Sequence, residues 1–366
     1  MLPRISAHIP LVCRPKAPAL PLAERLTHLT GQVDDSASAS HHNPVARASG
    51  VLNYAALIAS DVGMPDLAAD LCWRQHRVFA EAGRLTGDIA VMALMPLLNV
   101  SRLLTRGGDS DGAYDVLTQL YRAAQQRSTT DIRGHTVDLS ILTTSESDHY
   151  RVCQELWGAV LVDGARALAR SGRWSHAADA LTVYRGVGHR LLDGRQIYIM
   201  SLLERGLHDQ ARAATEATAS TDSWENAIAA LLRASCHSQA ESVRSDELDD
   251  VLRESVAVLS FPDPATALFQ ARVGLAALDL ICDHNGPQSI RLYDALHDAA
   301  LLDAYAARDV RNHPRAERYL DDEQKQHLDV VLRTAGLGAG TLPHPHMNTL
   351  TVAVEEAEVQ LHRLLS

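Results

Sequence analysis

A hexamer with the pattern Gly-x-x-(Asp/Ser)-x-Ala occurs four times in the chain and limits its fold more than any other feature. The copies are GMPDLA at 63–68, GDSDGA at 108–113, GRWSHA at 172–177 and GLHDQA at 206–211. Glycine can adopt the left-handed conformation that ends a helix, and an Asp or Ser three residues later can cap the next one. The small alanine lets the two helices pack closely. The hexamer therefore predicts a series of helical hairpins.

The composition favours the same fold class. Of 366 residues, 46% are hydrophobic but only 4% are aromatic, so small and γ-branched side chains must fill the core. Such side chains suit close-packed helices better than strands, and we predict an all-α protein. A formal net charge of -11 argues against direct binding of nucleic acid.

The cysteines and the N-terminal sequence bear on location. Five widely spaced cysteines without a CxxC pair are expected to be reduced thiols in a cytoplasmic protein. The stretch ISAHIPLVC after Arg4 is too short and too interrupted for the core of a signal peptide, and no membrane partner is expected. Nearly all basic residues are arginine, which is typical of coding sequences with a high GC content.

The hairpins of residues 48–220 resemble those of the tetratricopeptide repeat (TPR) family. In that family antiparallel helices are joined by Gly-x-x-x-x-Ala, often with an aromatic residue in the turn, as Trp174 is here. Gly172 and Gly206 are 34 residues apart, which is the repeat length of the family, whereas the other intervals are 45 and 64 residues. The resemblance implies a degenerate TPR-like protein of an actinobacterial, high-GC type. Its fold would be a right-handed α-α superhelix, a solenoid of helix hairpins with irregular insertions.

Three regions are expected along the chain. Residues 1–45 are rich in Pro and Ser and should be poorly ordered. Residues 46–220 hold the TPR-like repeats, with an inserted loop at 128–150 whose SESD sequence can cap the following helix. Residues 221–366 continue as degenerate helical repeats and end in C-terminal capping helices.

The resemblance also implies a concave groove that is lined by the first helix of each hairpin. The positions of the family's groove residues, carried over to this sequence, give as ligand-binding residues Asn53, Tyr54, Asn99, Arg102, Asp163, Arg166 and Gln196. Asn99 and Arg102 stand in the otherwise apolar stretch MPLLNVSRLL, where an unpaired buried polar group costs about 1–3 kcal/mol. Their partner is either internal, with Arg102 or Arg166 bridging to Asp163 or Asp61, or a ligand carboxylate or peptide backbone.

These features predict a scaffold that binds a peptide or protein segment and has an accessory or regulatory role, for example in specialised metabolism. The alternative is an enzyme, or the partner of one, that acts on a peptide held in the same groove, as in the maturation of peptide natural products. The general acid or base would then be Asp163, His149 or His189. Arg102 and Arg166 would bind the peptide. A third interpretation makes the C-terminal helices the interface of a homodimer.

Familiar catalytic and cofactor motifs are missing from the sequence. It contains no HExxH, Walker loop or dinucleotide-binding fingerprint. Local pairs such as Cys72 with His76, or His313 with Glu317, supply too few ligands for a metal ion. We therefore expect no cofactor, no metal site and no assigned catalytic residue.

Overall fold

The computed structural model describes residues 4–34, 42–237, 243–281 and 287–366. Within these ranges the chain is all-α apart from one short β-hairpin, which confirms the predicted fold class. The chain divides into two compact units. Unit A consists of Pro21–Ala167 with Gly336–Ser366, and unit B consists of Met1–Leu20 with Leu168–Ala335.

Nineteen α-helices are found in the described ranges. In chain order they are α1 (Leu22–Asp34), α2 (His42–Val62), α3 (Pro65–Ala82), α4 (Gly87–Met92), α5 (Met95–Arg106), α6 (Ser110–Gln126), α7 (Glu146–Ala159), α8 (Ala165–Arg170), α9 (Trp174–Val183), α10 (Asp193–Glu204), α11 (His208–Glu216), α12 (Ser223–Ser235), α13 (Ser245–Leu259), α14 (Ala267–Ile281), α15 (Pro287–Leu301), α16 (Ala304–Asn312), α17 (Pro314–Tyr319), α18 (Asp322–Ala335) and α19 (His344–Leu365). A 3-10 helix covers Arg4–Ala7, a π-helical turn covers Val160–Gly164, and the strands are β1 (Thr129–Ile132) and β2 (His135–Asp138).

Unit A is built on two helical hairpins, α2 with α3 and α5 with α6. The C-terminal helix α19 packs against α1, α2 and α3. Its buried residues form one helical stripe of Leu350, Ala353, Val354, Ala357 and Leu361. This helix therefore belongs to unit A.

The N-terminal segment is folded where the structure describes it, although the composition of residues 1–45 predicts poor order. Ile5 and Leu29 are completely buried, and even Arg25 is only 2% exposed. The apolar residues of α1 recur at helical spacing, and this stripe stabilises the helix through burial. Residues 35–41 of the same segment lie outside the described ranges.

In unit B, consecutive helices from α9 to α16 pack against one another. Helix α14 is buried on nearly all sides, against α12, α13, α15 and α16, as expected for a helix that is apolar all round. A side chain at Gly274 would place its Cβ 2.8 Å from the Cγ of Leu296, so the contact between α14 and α15 requires glycine there.

The four hexamers form the same joint in both units. Their glycines have φ angles of 92°, 85°, 76° and 74°, and their alanines are completely buried, as predicted. The residue after each glycine donates its N–H to the end of the first helix, as in a Schellman motif. Its carbonyl accepts the N–H of the hexamer's alanine in the second helix. One residue therefore ends one helix and begins the next.

The predicted capping role of the fourth hexamer residue is wrong. Asp66, Asp111, Ser175 and Asp209 lie inside the first turn of the second helix, because that helix begins two residues after the glycine. The N-cap is instead the residue that follows the glycine. Among the four copies only Asp109 caps with its side chain, which accepts from the Gly112 N–H.

The insertion at 128–150 contains the β-hairpin, which the sequence analysis described only as a loop. Strands β1 and β2 are antiparallel and are joined by Arg133 and Gly134, both with positive φ. Two such residues make the tight turn that fits the twist of a hairpin. Ser145 of SESD caps α7 by accepting from the Asp148 N–H at 3.1 Å, as predicted.

Among the described residues, one stretch is long and apolar enough to cross a membrane, Gly87–Arg106. The structure divides it between α4 and α5. Leu94 and Leu97 within it are each 1% exposed. The stretch therefore contributes to the core of unit A.

Candidate functional site

Four predicted site residues of unit A form one continuous chain of hydrogen bonds, which we call the polar row: Asn53, Asn99, Arg102 and Asp163. The Asn99 Nδ2 donates to the Asn53 Oδ1 at 3.0 Å, and the Asn99 Oδ1 accepts from the Arg102 Nη1 at 3.1 Å. Arg102 also donates through Nε to the Asp163 Oδ2 at 3.0 Å. The row thus joins α2, α5 and the π-helical turn.

The polar row contains the hydrogen-bond partners of Arg102 and Asn99. Their partners are internal, as in the first of the two alternatives, and the bridge runs from Arg102 to Asp163. The pair is still open to solvent, with side chains that are 45% and 24% exposed. Within the described residues, the Asn53 amide nitrogen and the Asp163 Oδ1 have no hydrogen-bond partner in the chain. The row therefore has an unused donor at one end and an unused acceptor at the other.

A local irregularity of the backbone places Asp163 in the row. In the turn Val160–Gly164 the N–H of Ala165 bonds to the carbonyl of Val160, five residues earlier. A Cβ at position 164 would lie 3.1 Å from the Cδ2 of Tyr114, so glycine allows this turn to rest on that ring. π-Helical turns are rare and occur frequently at functional sites.

The other three predicted residues have different surroundings. Tyr54 is half-buried, with its ring 5.6 Å from that of His28 and 5.6 Å from the Arg25 guanidinium. Arg166 is half-buried on α8. Gln196 belongs to unit B and is completely buried. Its amide bonds to both main-chain groups of Leu11, at 2.7 and 2.6 Å, so it holds the N-terminal segment and has no exposed surface for a ligand.

The residues suggested for acid–base chemistry are not joined by hydrogen bonds. The His149 Nε2 lies 3.6 Å from the Cys153 Sγ on the same helix, and burial lowers the pKa of His149. Burial also raises the pKa of Cys153, so this thiol keeps its proton and is a weak nucleophile. His189 is exposed in unit B, and the carboxylate of Asp163 is bound by Arg102.

A cavity of about 40 Å³ lies in unit A, and none of its lining residues belongs to the polar row. Apolar side chains line most of it, together with His76 and Asp138. Burial lowers the pKa of His76 to about 4, and its Nδ1 is buried without a hydrogen-bond partner. Burial also raises the pKa of the neighbouring Cys72 to about 12. A thiol must lose its proton to bind a metal ion, so the pair belongs to the core.

Unit B contains a group of side chains with suitable ligand atoms for a metal ion, and the sequence did not predict it. It consists of His8, Asp279 and His313, whose ligand atoms lie within 4.8 Å of one another. The three residues are far apart along the chain, and no local spacing relates them. Only the fold brings them together.

Comparison with known proteins found no match among family models, curated proteins or solved structures.

Proposed function

We propose that the chain is a TPR-like helical repeat scaffold that binds a peptide or protein segment along the polar row of unit A. The observation that carries this proposal is the unused donor of Asn53 and the unused acceptor of Asp163 at opposite ends of one partly exposed row. A peptide backbone offers an acceptor and a donor in every residue, so it is complementary to both ends.

The internal ion pair also supports this role. Arg102 and Asp163 hold each other in place at 2.9 Å, so that little side-chain freedom remains to be lost when a ligand binds. Tyr54 stands next to Asn53 in the sequence and is half-buried, and such an aromatic side chain provides contact area at a low cost in conformational entropy.

The scaffold has an accessory or regulatory role and acts in the cytoplasm. The four cysteines that the structure describes, Cys13, Cys72, Cys153 and Cys236, are free thiols, as is typical of a reducing compartment. Cys282 lies outside the described ranges.

The test is a selection of random peptides displayed on phage against the full-length chain, followed by titration of the enriched peptides by fluorescence anisotropy. Removal of a hydrogen bond to the ligand should raise Kd about tenfold in Asn53→Ala and in Asp163→Ala. Arg151→Ala is the matched control, because this arginine also pairs with an aspartate, Asp88, in unit A and is similarly exposed at 47%. Failure to enrich any peptide that distinguishes the two row variants from Arg151→Ala would overturn the proposal.

A further inference from the structure

The carboxylate of Asp279 on α14 lies between two imidazole rings in unit B. The His8 Nε2 is 3.2 Å from Oδ2 of this carboxylate, and the His313 Nε2 is 3.2 Å from Oδ1. His8 follows the N-terminal 3-10 helix, whereas His313 stands between α16 and α17. Three segments that are distant in sequence thus bring their ligand atoms to within 4.8 Å of one another.

We propose that His8, Asp279 and His313 bind one divalent transition-metal ion of the zinc class. Two imidazoles and a carboxylate are the ligand set of Zn²⁺, Fe²⁺, Co²⁺ and Ni²⁺, whereas Mg²⁺ and Ca²⁺ prefer oxygen ligands. Ligand atoms at about 2.0–2.1 Å from a tetrahedral ion lie roughly 3.3 Å apart. The distances from the two imidazole nitrogens to the carboxylate, 3.2 Å to one oxygen and 3.2 Å to the other, are of this size, and the three ligand atoms lie within 4.8 Å of one another.

The charge state of the group suits a cation. A carboxylate provides the negative charge that favours a cation, and the hydrogen bonds from His8 and His313 hold this carboxylate in place. Side-chain exposures of 12% for His8, 21% for Asp279 and 9% for His313 leave the group accessible to an entering ion. With three protein ligands, a tetrahedral ion keeps one position for water or another small ligand.

Binding requires a movement of protons that can be followed. Without an ion, the Nε2–H of each histidine donates a hydrogen bond to the carboxylate of Asp279. When an ion binds at Nε2, the proton of a neutral imidazole ring moves to Nδ1. The Nδ1 of His313 at present accepts from the Ala316 N–H at 3.3 Å and so caps α17. Once protonated, it can no longer accept this bond. Metal binding should therefore make the amide of Ala316 exchange faster with solvent.

The site does not depend on the proposed peptide binding, which concerns unit A. Its test uses the full-length chain after treatment with EDTA and dialysis, titrated with Zn²⁺ by calorimetry and with Co²⁺ by visible absorption. The wild type should bind one equivalent of either ion, and the Co²⁺ complex should show the intense visible bands of low coordination. In His8→Gln and in His313→Gln the Kd should rise by more than about tenfold, because each lacks one of three ligands.

His237→Gln is the matched control. His237 also bonds to a carboxylate in unit B, that of Glu247, but it is not part of the three-ligand group. This variant should bind Zn²⁺ as the wild type does. The proposal is overturned if the folded wild type takes up no Zn²⁺ at one equivalent, or if His8→Gln and His313→Gln bind it as tightly as His237→Gln. The wild-type stoichiometry decides the matter even if a variant fails to fold.

Discussion

Arg25 and Asp61 form an ion pair of 2.7 Å whose side chains are only 2% and 1% exposed. Asp61 also accepts from Arg106 at 3.0 Å, and that arginine is 43% exposed. The buried pair ties α1 to α2, and α1 belongs to the segment expected from its composition to be poorly ordered. Each of the two charges is thus shielded from solvent and faces the other.

Replacing Arg25 with methionine should lower the free energy of unfolding by about 3–5 kcal/mol, since it leaves the buried carboxylate of Asp61 without its main partner. Urea denaturation followed by circular dichroism measures this loss. The double variant Arg25→Met/Asp61→Leu should recover part of it, because no buried charge remains. A single variant within about 1 kcal/mol of the wild type would contradict the assigned burial.

The stability of the chain should depend on pH through His76. Its pKa is about 4 in the folded state, below the 6.5 of an ordinary histidine, so between these values the unfolded chain binds a proton that the folded chain does not. The contribution of His76 to stability is therefore present above pH 6.5 and is lost as the pH falls toward 4. The difference of about 2.5 units corresponds to about 3 kcal/mol.

Urea denaturation at pH 7 and pH 5 checks this dependence. His76→Leu should reduce the difference between the two free energies of unfolding, because leucine does not titrate. The exposed His344 of the same unit offers the control, and His344→Gln should keep the wild-type difference. Equal pH dependence in all three proteins would refute the role of His76.

A side chain at the left-handed glycines of the hexamers should lower the stability of the chain. Gly206 has a φ of 74°, and a Cβ added there would meet no atom within 4 Å, so Gly206→Ala adds backbone strain without a clash. We expect a loss of about 1 kcal/mol, and a smaller one for Gly206→Asn, because asparagine adopts this conformation more readily. Gly158 lies inside α7 with equally open surroundings. Gly158→Ala should instead stabilise the chain by about 0.5–1 kcal/mol, so thermal unfolding should change in opposite directions for the two alanine variants.

The polar row should matter more for binding than for stability. Arg102 and Asp163 form an exposed pair, and such pairs contribute at most about 1 kcal/mol to folding. Arg102→Ala should therefore change the midpoint of urea denaturation little, yet weaken binding of the selected peptides, because Asp163 and Asn99 lose the side chain that positions them. A large loss of stability would instead identify Arg102 as a structural support.

The helical joints could be predicted from the sequence because their causes are local. A glycine that adopts positive φ and an alanine that allows close packing stand within six residues of each other. The N-cap was misplaced, because residue types alone do not reveal that one residue serves both helices. The β-hairpin at 129–138 was missed, although its β-branched residues around Arg133 and Gly134 are a signal of such a turn.

The residues of a candidate site could be predicted only where their positions in the helices determine which side chains come together. Asn53, Asn99, Arg102 and Asp163 were identified by their positions in the hairpins, and the fold brings all four together. Gln196 was identified in the same way but packs on Leu11, a residue of the segment expected to be poorly ordered. His8, Asp279 and His313 are brought together by tertiary packing alone, and the spacing of residues along the chain does not predict their contact.

The joint formed by each hexamer contains no spare residue. The residue after the glycine donates its N–H to the first helix and accepts an N–H from the second through its carbonyl, so an insertion or deletion of one residue there would rotate the second helix by about 100°. Its alanine would then face away from the first helix. Changes of chain length must be absorbed elsewhere, and all four joints keep six residues while the intervals between them range from 34 to 64. In this chain the turns have a fixed length, whereas the helices and insertions between them differ in length.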